Sequence, residues 1–170
     1  MELNDKAMKM FQNSNNDSVL FFLDKAIEID SSWYLPHQNK IVYYLKQNNI
    51  DNALMESELV IEKEPMFAEG WTMAGMLHEA TGDSKKAFSY YQKSIEIFDN
   101  YIQDPEKSEQ LAVNRVNRAF SLLLLEKKEE AMNEMIKAKI DFPNEPLFGN
   151  MDSLFKITKK DILNQILLKN

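Results

Sequence analysis

The sequence contains no cysteine, and it has only 4 glycines and 5 prolines among its 170 residues. The absence of cysteine excludes disulfide frameworks, zinc sites built from thiolates and cysteine nucleophiles. The scarcity of glycine and proline excludes collagen-like chains and argues against loop-rich all-β folds. Valine and threonine are also scarce, whereas leucine and alanine are common, which favours helix over strand. The length predicts about one domain with a real apolar core.

The chain also lacks an excess of positive charge. Its 27 acidic residues outnumber its 20 lysines and arginines, and the net charge at neutral pH is −7. A nucleic-acid-binding surface needs clustered cations that displace counterions from phosphate, so this composition predicts no nucleic-acid partner. The same acidic balance disfavours docking on an anionic membrane surface.

Long hydrophobic runs are missing as well. The longest strongly apolar stretches, Val19–Leu23 and Ala119–Leu125, are far shorter than the roughly 20 residues that cross a bilayer. The first residues do not show the basic stretch and apolar run of a signal peptide. We therefore expect no direct membrane insertion and a cytoplasmic location, or an exported one if a preceding signal peptide has been removed.

Residue patterns typical of catalysis are absent from the sequence. The two histidines, His37 and His78, are far apart, and neither belongs to a set of residues with metal-ligand spacing. The glycines form no phosphate-binding loop, and no serine lies in a nucleophile-elbow pattern. The sequence predicts a protein that is not an enzyme, with no catalytic residues, no metal site and no cofactor.

What the sequence does have is an internal repeat with a spacing of 34 residues. Its clearest copy runs from Ala68 to Asn100 and predicts two helices joined by a turn at Gly82. Small or apolar residues recur at three fixed positions of the repeat: Ala7, Val19 and Ala26; Ile41, Ala53 and Val60; Gly75, Ala87 and Ser94; and, after 44 residues, Ala119, Ala131 and Ala138. Periodic small residues are what closely crossing, stacked helix pairs require.

The copy from Ala68 to Asn100 resembles the tetratricopeptide repeat family. The residues that carry the resemblance are the bulky Trp71, the tight-packing Gly75, the turn residue Gly82, and then Ala87 and Tyr91. The resemblance covers residues 2–143 in four units. Five positions depart from the family pattern because a charged or polar residue stands where an apolar one is usual: Lys6, His37, Lys40, Arg115 and Arg118.

The resemblance implies an all-α fold, a right-handed α-solenoid (a tetratricopeptide-like superhelix) of four helix-turn-helix repeats with C-terminal capping helices. We expect one domain over residues 1–170, with repeats at about 2–32, 33–66, 67–100 and 110–144, a first turn at 14–17, a helical extension at about 99–111 and a C-terminal cap at 146–170. Asp104 and Pro105 predict the start of a helix that runs to about Glu126. The extension is either an elongated hairpin without a function of its own or a ridge for a partner.

The resemblance also implies a concave face, lined by the first helix of each repeat, that holds a peptide or helix of another protein. Projected onto that face, the sequence predicts a mostly apolar, methionine-rich groove. Its residues are Met8, Gln38, Val42, Thr72, Met73, Met76, Glu79, Val116, Asn117 and Phe120. The predicted function is a non-catalytic protein-interaction scaffold, and the alternative for the methionine stripe is that it belongs to the core.

The end of the chain predicts two more helices, a further first helix over Leu147–Phe155 and then a last helix. Thr158 and Asp161 resemble a helix cap, and Ile162, Ile166 and Leu167 form an apolar stripe after it. One interpretation is a lid on the fourth repeat. The others are a self-association surface, which would make the chain a structural or assembly protein that forms a homodimer, or a segment that enters the groove.

Arg115 and Arg118 are the two arginines of the chain and share one predicted helix face. They form either a carboxylate- or phosphate-binding patch or structural ion pairs with acidic residues such as Glu96 and Asp99 on a neighbouring helix.

Overall fold

The computed structural model describes residues 1–12, 18–144 and 147–167, and within these ranges it consists of helices and turns with no strand. The predicted turn at 14–17 and the last residues of the predicted cap, 168–170, lie outside the described residues. In chain order the helices are α1 (Glu2–Gln12), α2 (Val19–Ile29), α3 (Leu35–Lys46), α4 (Ile50–Lys63), α5 (Ala68–Ala80), α6 (Ser84–Gln103), a 3-10 helix (Pro105–Gln110), α7 (Leu111–Leu124), α8 (Lys128–Asp141), α9 (Leu147–Leu154) and α10 (Lys159–Leu167).

The chain divides into two compact units, which are Met1–Met66 and Phe67–Asn170. We call them unit one and unit two. The division falls at the boundary predicted between the second and third repeats. The expectation of a single domain and the exact repeat boundaries stay predictions.

Unit one contains the helices α1 to α4, each packed against the next. The fully buried Ala7, Val19 and Leu23 form a core between α1 and α2. In the turn between α3 and α4, Asn48 adopts a positive φ of 55°. The side chain of Asn49 then caps α4, because its oxygen accepts a hydrogen bond from the backbone N–H of Asn52 at 3.2 Å.

Unit two begins with the hairpin of α5 and α6. Gly82 occupies the turn at a φ of 93°, a conformation that favours glycine because it has no Cβ. Asp83 caps α6 by accepting a hydrogen bond from the backbone N–H of Lys86 at 3.0 Å. The rest of the unit places α7 against α6 and α8 against α7.

Gly75 lets α5 and α6 approach closely. A Cβ at this position would lie 2.6 Å from the ring of Tyr91, which is fully buried on α6. Only a residue without a side chain leaves room for the ring here. The tight-packing role predicted for Gly75 therefore has a direct structural cause.

The extension after α6 differs from the prediction. In place of one helix from Pro105 to Glu126, the structure has a 3-10 helix followed by α7, with Lys107 at a non-helical φ of −100° and ψ of 15°. Asp104 does cap this segment, because its carboxylate accepts a hydrogen bond from the N–H of Glu106 at 3.0 Å. The 3-10 helix buries no residue, so it has no apolar face whose packing would stabilise an α-helix there.

The last two helices leave the regular stack. α9 packs against α7, whereas the main contact of α10 is with α5 of the third repeat; the lid interpretation had placed this helix on the fourth repeat. The predicted cap of α10 is confirmed, since the N–H of Thr158 donates to Asp161 at 3.1 Å and the N–H of Asp161 donates to Oγ1 of Thr158 at 3.2 Å.

Candidate functional site

Unit two contains an apolar pocket where α5, α6 and α7 meet. The cavity has a volume of about 200 Å³. Its lining residues are Glu69, Thr72, Met73 and Met76 from α5, Phe98 from α6, and Asn117 and Phe120 from α7. Most of the wall is formed by thioether and aromatic groups, which suits an apolar occupant.

A cluster of three buried hydroxyl groups holds the helices together beside this pocket. The hydroxyl of Thr72 lies 2.7 Å from that of Ser94 and 2.9 Å from that of Ser121, and the two serine hydroxyls are 3.2 Å apart. Each helix contributes one member, so the three hydrogen bonds set the spacing of α5, α6 and α7. Because each group is hydrogen-bonded, the cluster avoids the cost of unpaired buried polar atoms.

The edge of the pocket is polar. The side-chain amide of Asn117 donates a hydrogen bond to Oε1 of Glu69 at 3.0 Å and joins α7 to α5. The pocket thus combines an apolar cavity with a hydrogen-bonded rim.

Five of the ten predicted groove residues line this single pocket: Thr72, Met73, Met76, Asn117 and Phe120. Glu79 lies one turn beyond Met76 on α5 and pairs with Lys159 of α10 at 2.6 Å. Val116 is buried, with 7% of its surface exposed. The sequence did not single out Phe98 for the groove, although its position four residues after the packing residue Ser94 puts it on the same face of α6.

The other three predicted groove residues belong to unit one. Met8 and Gln38 are half-buried on α1 and α3, and Val42 on α3 is exposed. A groove that runs through all repeats stays a prediction.

The apolar stripe of α10 packs within its own unit. Ile162 and Leu167 are each 1% exposed, and Ile166 is half-buried. Self-association through these residues stays a prediction, and it would require α10 to leave its place in unit two.

The two arginines of α7 form structural ion pairs. Arg118 donates to Asp99 at 2.5 Å and to Glu134 at 3.2 Å, and Arg115 donates to Asp141 at 2.6 Å. Of the two alternatives, a ligand-binding patch or ion pairs with acidic residues such as Glu96 and Asp99, the structure has ion pairs, and Asp99 is a partner of Arg118. Glu96, the other candidate partner, instead accepts a hydrogen bond from the neighbouring Lys93.

Unit one contains a buried charged cluster centred on Glu56 of α4. One carboxylate oxygen lies 2.5 Å from Nζ of Lys40 and the other lies 2.6 Å from Nδ1 of His37, both on α3. Burial alone would raise the pKa of Glu56, but the hydrogen bonds from His37 and Lys40 outweigh it and hold that pKa below its ordinary value. Lys40 also pairs with Asp24 of α2 at 3.1 Å. Because both carboxylate oxygens are bonded to side chains of α3, the cluster joins α4 to α3.

The described ranges, 1–12, 18–144 and 147–167, lack both a metal-binding cluster and a membrane-spanning helix. These residues contain no group of three or more histidine, aspartate or glutamate side chains that could hold a metal ion. No helix in them is long and apolar enough to span a membrane.

Comparison with known proteins agrees with this geometry. The family model of the tetratricopeptide repeat matches residues 68–101, which are α5, α6 and the turn between them. This helix pair is a tetratricopeptide-like repeat. Tetratricopeptide-repeat proteins are generally non-catalytic scaffolds for protein–protein interaction.

Two solved structures share the helical-repeat fold. The MamA RS-1 ArsTM double mutant matches with a TM-score of 0.58 at 12% sequence identity, over 84% of this chain and 76% of that chain. YrrB, a tetratricopeptide-repeat protein with an unusual peptide-binding site, matches with a TM-score of 0.50 at 17% identity, over 89% of this chain and 90% of that chain. The predicted all-α helical-repeat fold is confirmed.

A curated protein of Haemophilus influenzae, itself uncharacterized, is 29% identical over 94 residues. This match covers 54% of this chain and 49% of the relative, so the chain spans about half the length of that protein.

Proposed function

We propose that the chain is a non-catalytic interaction scaffold that binds a peptide or an amphipathic helix of another protein, with an apolar side chain of that partner in the pocket of unit two. The observation that carries this proposal is the convergence of Met73, Met76 and Phe120 on one apolar cavity of about 200 Å³. Methionine side chains are flexible and polarizable, so the pocket adapts to aliphatic or aromatic occupants of different shapes.

The hydrogen-bonded rim supports the same function. Glu69 and Asn117 place carboxylate and amide groups beside the cavity, where they are able to bond the backbone of a bound peptide. In unit one, Met8, Gln38 and Val42 are proposed as further contact residues of the same partner.

The test is a selection of linear peptides from a displayed library against the full chain, followed by affinity measurements with pocket variants. Met73→Glu together with Phe120→Glu places carboxylates in the cavity. Both residues are half-buried, so their replacement disturbs the fold less than replacement of the buried Met76. We expect at least tenfold weaker binding, because an unpaired charge in an apolar site costs more than about 1.4 kcal/mol.

A matched control replaces the same residue types at exposed positions of the same unit. Phe88 on α6 is 51% exposed and Met132 on α8 is 46% exposed. Phe88→Glu together with Met132→Glu should leave peptide affinity unchanged. The proposal is wrong if the library yields no peptide that the pocket pair weakens more than this control pair, with both proteins folded by circular dichroism.

A further inference from the structure

The carboxylate of Glu79 is held in place from inside unit two. Tyr91 crosses α5 at Gly75, and its hydroxyl donates a hydrogen bond to Oε2 of Glu79 at 3.1 Å. Burial raises the pKa of Tyr91, so the hydroxyl keeps its proton and remains a donor. Glu79 is therefore a fixed anionic position on the same helix that carries Met73 and Met76 of the pocket.

The helix α10 binds α5 at this anionic position. Nζ of Lys159 lies 2.6 Å from Oε2 of Glu79, the oxygen that Tyr91 also contacts, and it lies 5.4 Å from the centre of the Tyr91 ring. Two aliphatic side chains further along α10, Ile162 and Leu167, are buried to 1% exposure. α10 thus places one basic group on a carboxylate of α5 and buries two aliphatic groups within unit two, as an amphipathic helix does when it docks.

α10 is a short, self-contained helix. It has nine residues and its own capping box between Thr158 and Asp161, and the non-helical residues 155–158 separate it from α9. A helix of this length is not stable alone in water, so its order depends on its contact with α5. A helix with these properties is able to bind α5 and to dissociate from it as a whole.

We propose that α10 is an internal ligand of α5 that a partner helix displaces, and that this partner carries a basic side chain for Glu79 followed by aliphatic residues three and eight positions later. The charge of the chain, −7 at neutral pH, favours such a basic partner. The inference rests on the proposed function, because the surface of α5 that α10 covers at Glu79 lies one turn beyond the pocket residue Met76.

The first experiment measures whether α5 binds a helix of this chemistry in trans. The probe is a fluorescent synthetic peptide of residues 157–167, titrated into the full chain by fluorescence anisotropy. Wild-type protein should bind it weakly, because its own α10 competes at an effective concentration on the order of millimolar. A full-length variant with Ile162→Glu and Leu167→Glu releases α10 and should bind the peptide at least tenfold more tightly.

Charge reversal tests the role of Glu79 in that released variant. Glu79→Lys should weaken binding of the peptide at least fivefold, and a peptide with Lys159→Glu should regain the lost affinity on Glu79→Lys protein. The control is Glu129→Lys, which replaces an exposed glutamate of α8. It should change the affinity of neither peptide. Equal peptide binding by wild-type and released protein, or loss of affinity without recovery on charge reversal, would overturn the inference.

Hydrogen exchange gives a readout that does not depend on released variants. When a peptide selected against the wild-type pocket is added, exchange should speed up in residues 159–167 and slow down in α5. A peptide whose binding is weakened by the pocket variants, but which leaves hydrogen exchange in α10 unchanged, would refute this inference without contradicting the proposed function. The reverse outcome is also distinguishable: if no selected peptide is weakened by the pocket variants while the 157–167 peptide still binds through Glu79, the proposed pocket fails and α10 remains supported as an internal ligand.

Discussion

The buried cluster around Glu56 predicts a large effect from a single substitution. Glu56 is 7% exposed, and its carboxylate joins Lys40 and His37 of α3 to α4. The change Glu56→Leu replaces the carboxylate with an apolar side chain of similar size and removes the partner of both groups. Breaking a buried ion pair from one side costs about 3–5 kcal/mol, because the remaining charge is left without its partner.

A second ion pair of Lys40 slightly reduces the expected loss of stability. Its ammonium group retains Asp24 at 3.1 Å, a carboxylate whose side chain is 56% exposed. An ion pair with so exposed a partner recovers about 1 kcal/mol at most. We therefore expect Glu56→Leu to lower the free energy of unfolding by about 2–4 kcal/mol.

Urea denaturation followed by circular dichroism measures this change, and hydrogen exchange of α3 and α4 assigns it to unit one. The control is Glu62→Leu on the same helix, since Glu62 has a side chain 69% exposed and lies 3.8 Å from its nearest lysine, Lys63. That substitution should change the free energy of unfolding by less than about 0.5 kcal/mol. Equal effects of the two substitutions would refute the reasoning.

The pH dependence of the same cluster follows from its two shifted pKa values. The pKa of Glu56 lies below its ordinary value of 4.5, so its stabilising contribution is present above pH 4.5 and is lost as pH falls through the folded-state pKa. Burial lowers the pKa of Lys40, but Glu56 and Asp24 outweigh it and raise this pKa above its ordinary value of 10.5. The stabilising contribution of Lys40 is therefore present below pH 10.5 and is lost as pH rises through the folded-state pKa. The difference in stability between wild type and Glu56→Leu should be greatest between these limits and should shrink in acid. A difference that grows as pH falls would contradict the assignment.

Two further predictions concern the packing of unit two. Gly75→Ala should destabilise the protein by about 2 kcal/mol, because overpacking against the buried ring of Tyr91 costs up to about 3 kcal/mol and alanine regains about 1 kcal/mol of helix propensity. In a Tyr91→Leu background the same change should be neutral or stabilising. If Gly75→Ala stabilised the wild-type protein, the packing argument would be contradicted. Thr72→Val should cost about 1–2 kcal/mol, because it removes the hydroxyl that bonds both Ser94 and Ser121. An unchanged urea midpoint for this variant would show that the hydroxyl cluster contributes nothing to stability.

The residues that depart from the repeat pattern show what the sequence indicated and what only the packed helices revealed. Lys40 and His37 were recognisable as polar residues at apolar positions, which indicates that each needs a polar partner. The partner of both, Glu56, was not identified, because a glutamate on a surface-like helix pattern has no signal of burial until the helices pack. For the two arginines the sequence offered Glu96 and Asp99 on the preceding helix as partners, and in the structure Asp99 pairs with Arg118.

The sequence by itself determined the helices, their hairpin turns and the small residues at their crossings, because the spacing of those residues is local and repeats along the chain. The helical period also predicted Met73 and Met76 on one face of α5, and the resemblance to the repeat family predicted that Phe120 faces the same groove. Only the tertiary structure decided that α10 turns back onto α5 and pairs Lys159 with Glu79. An apolar stripe specifies that a helix must be buried but not which of several similar apolar surfaces buries it, and that choice depends on contacts between residues 80 positions apart in the chain.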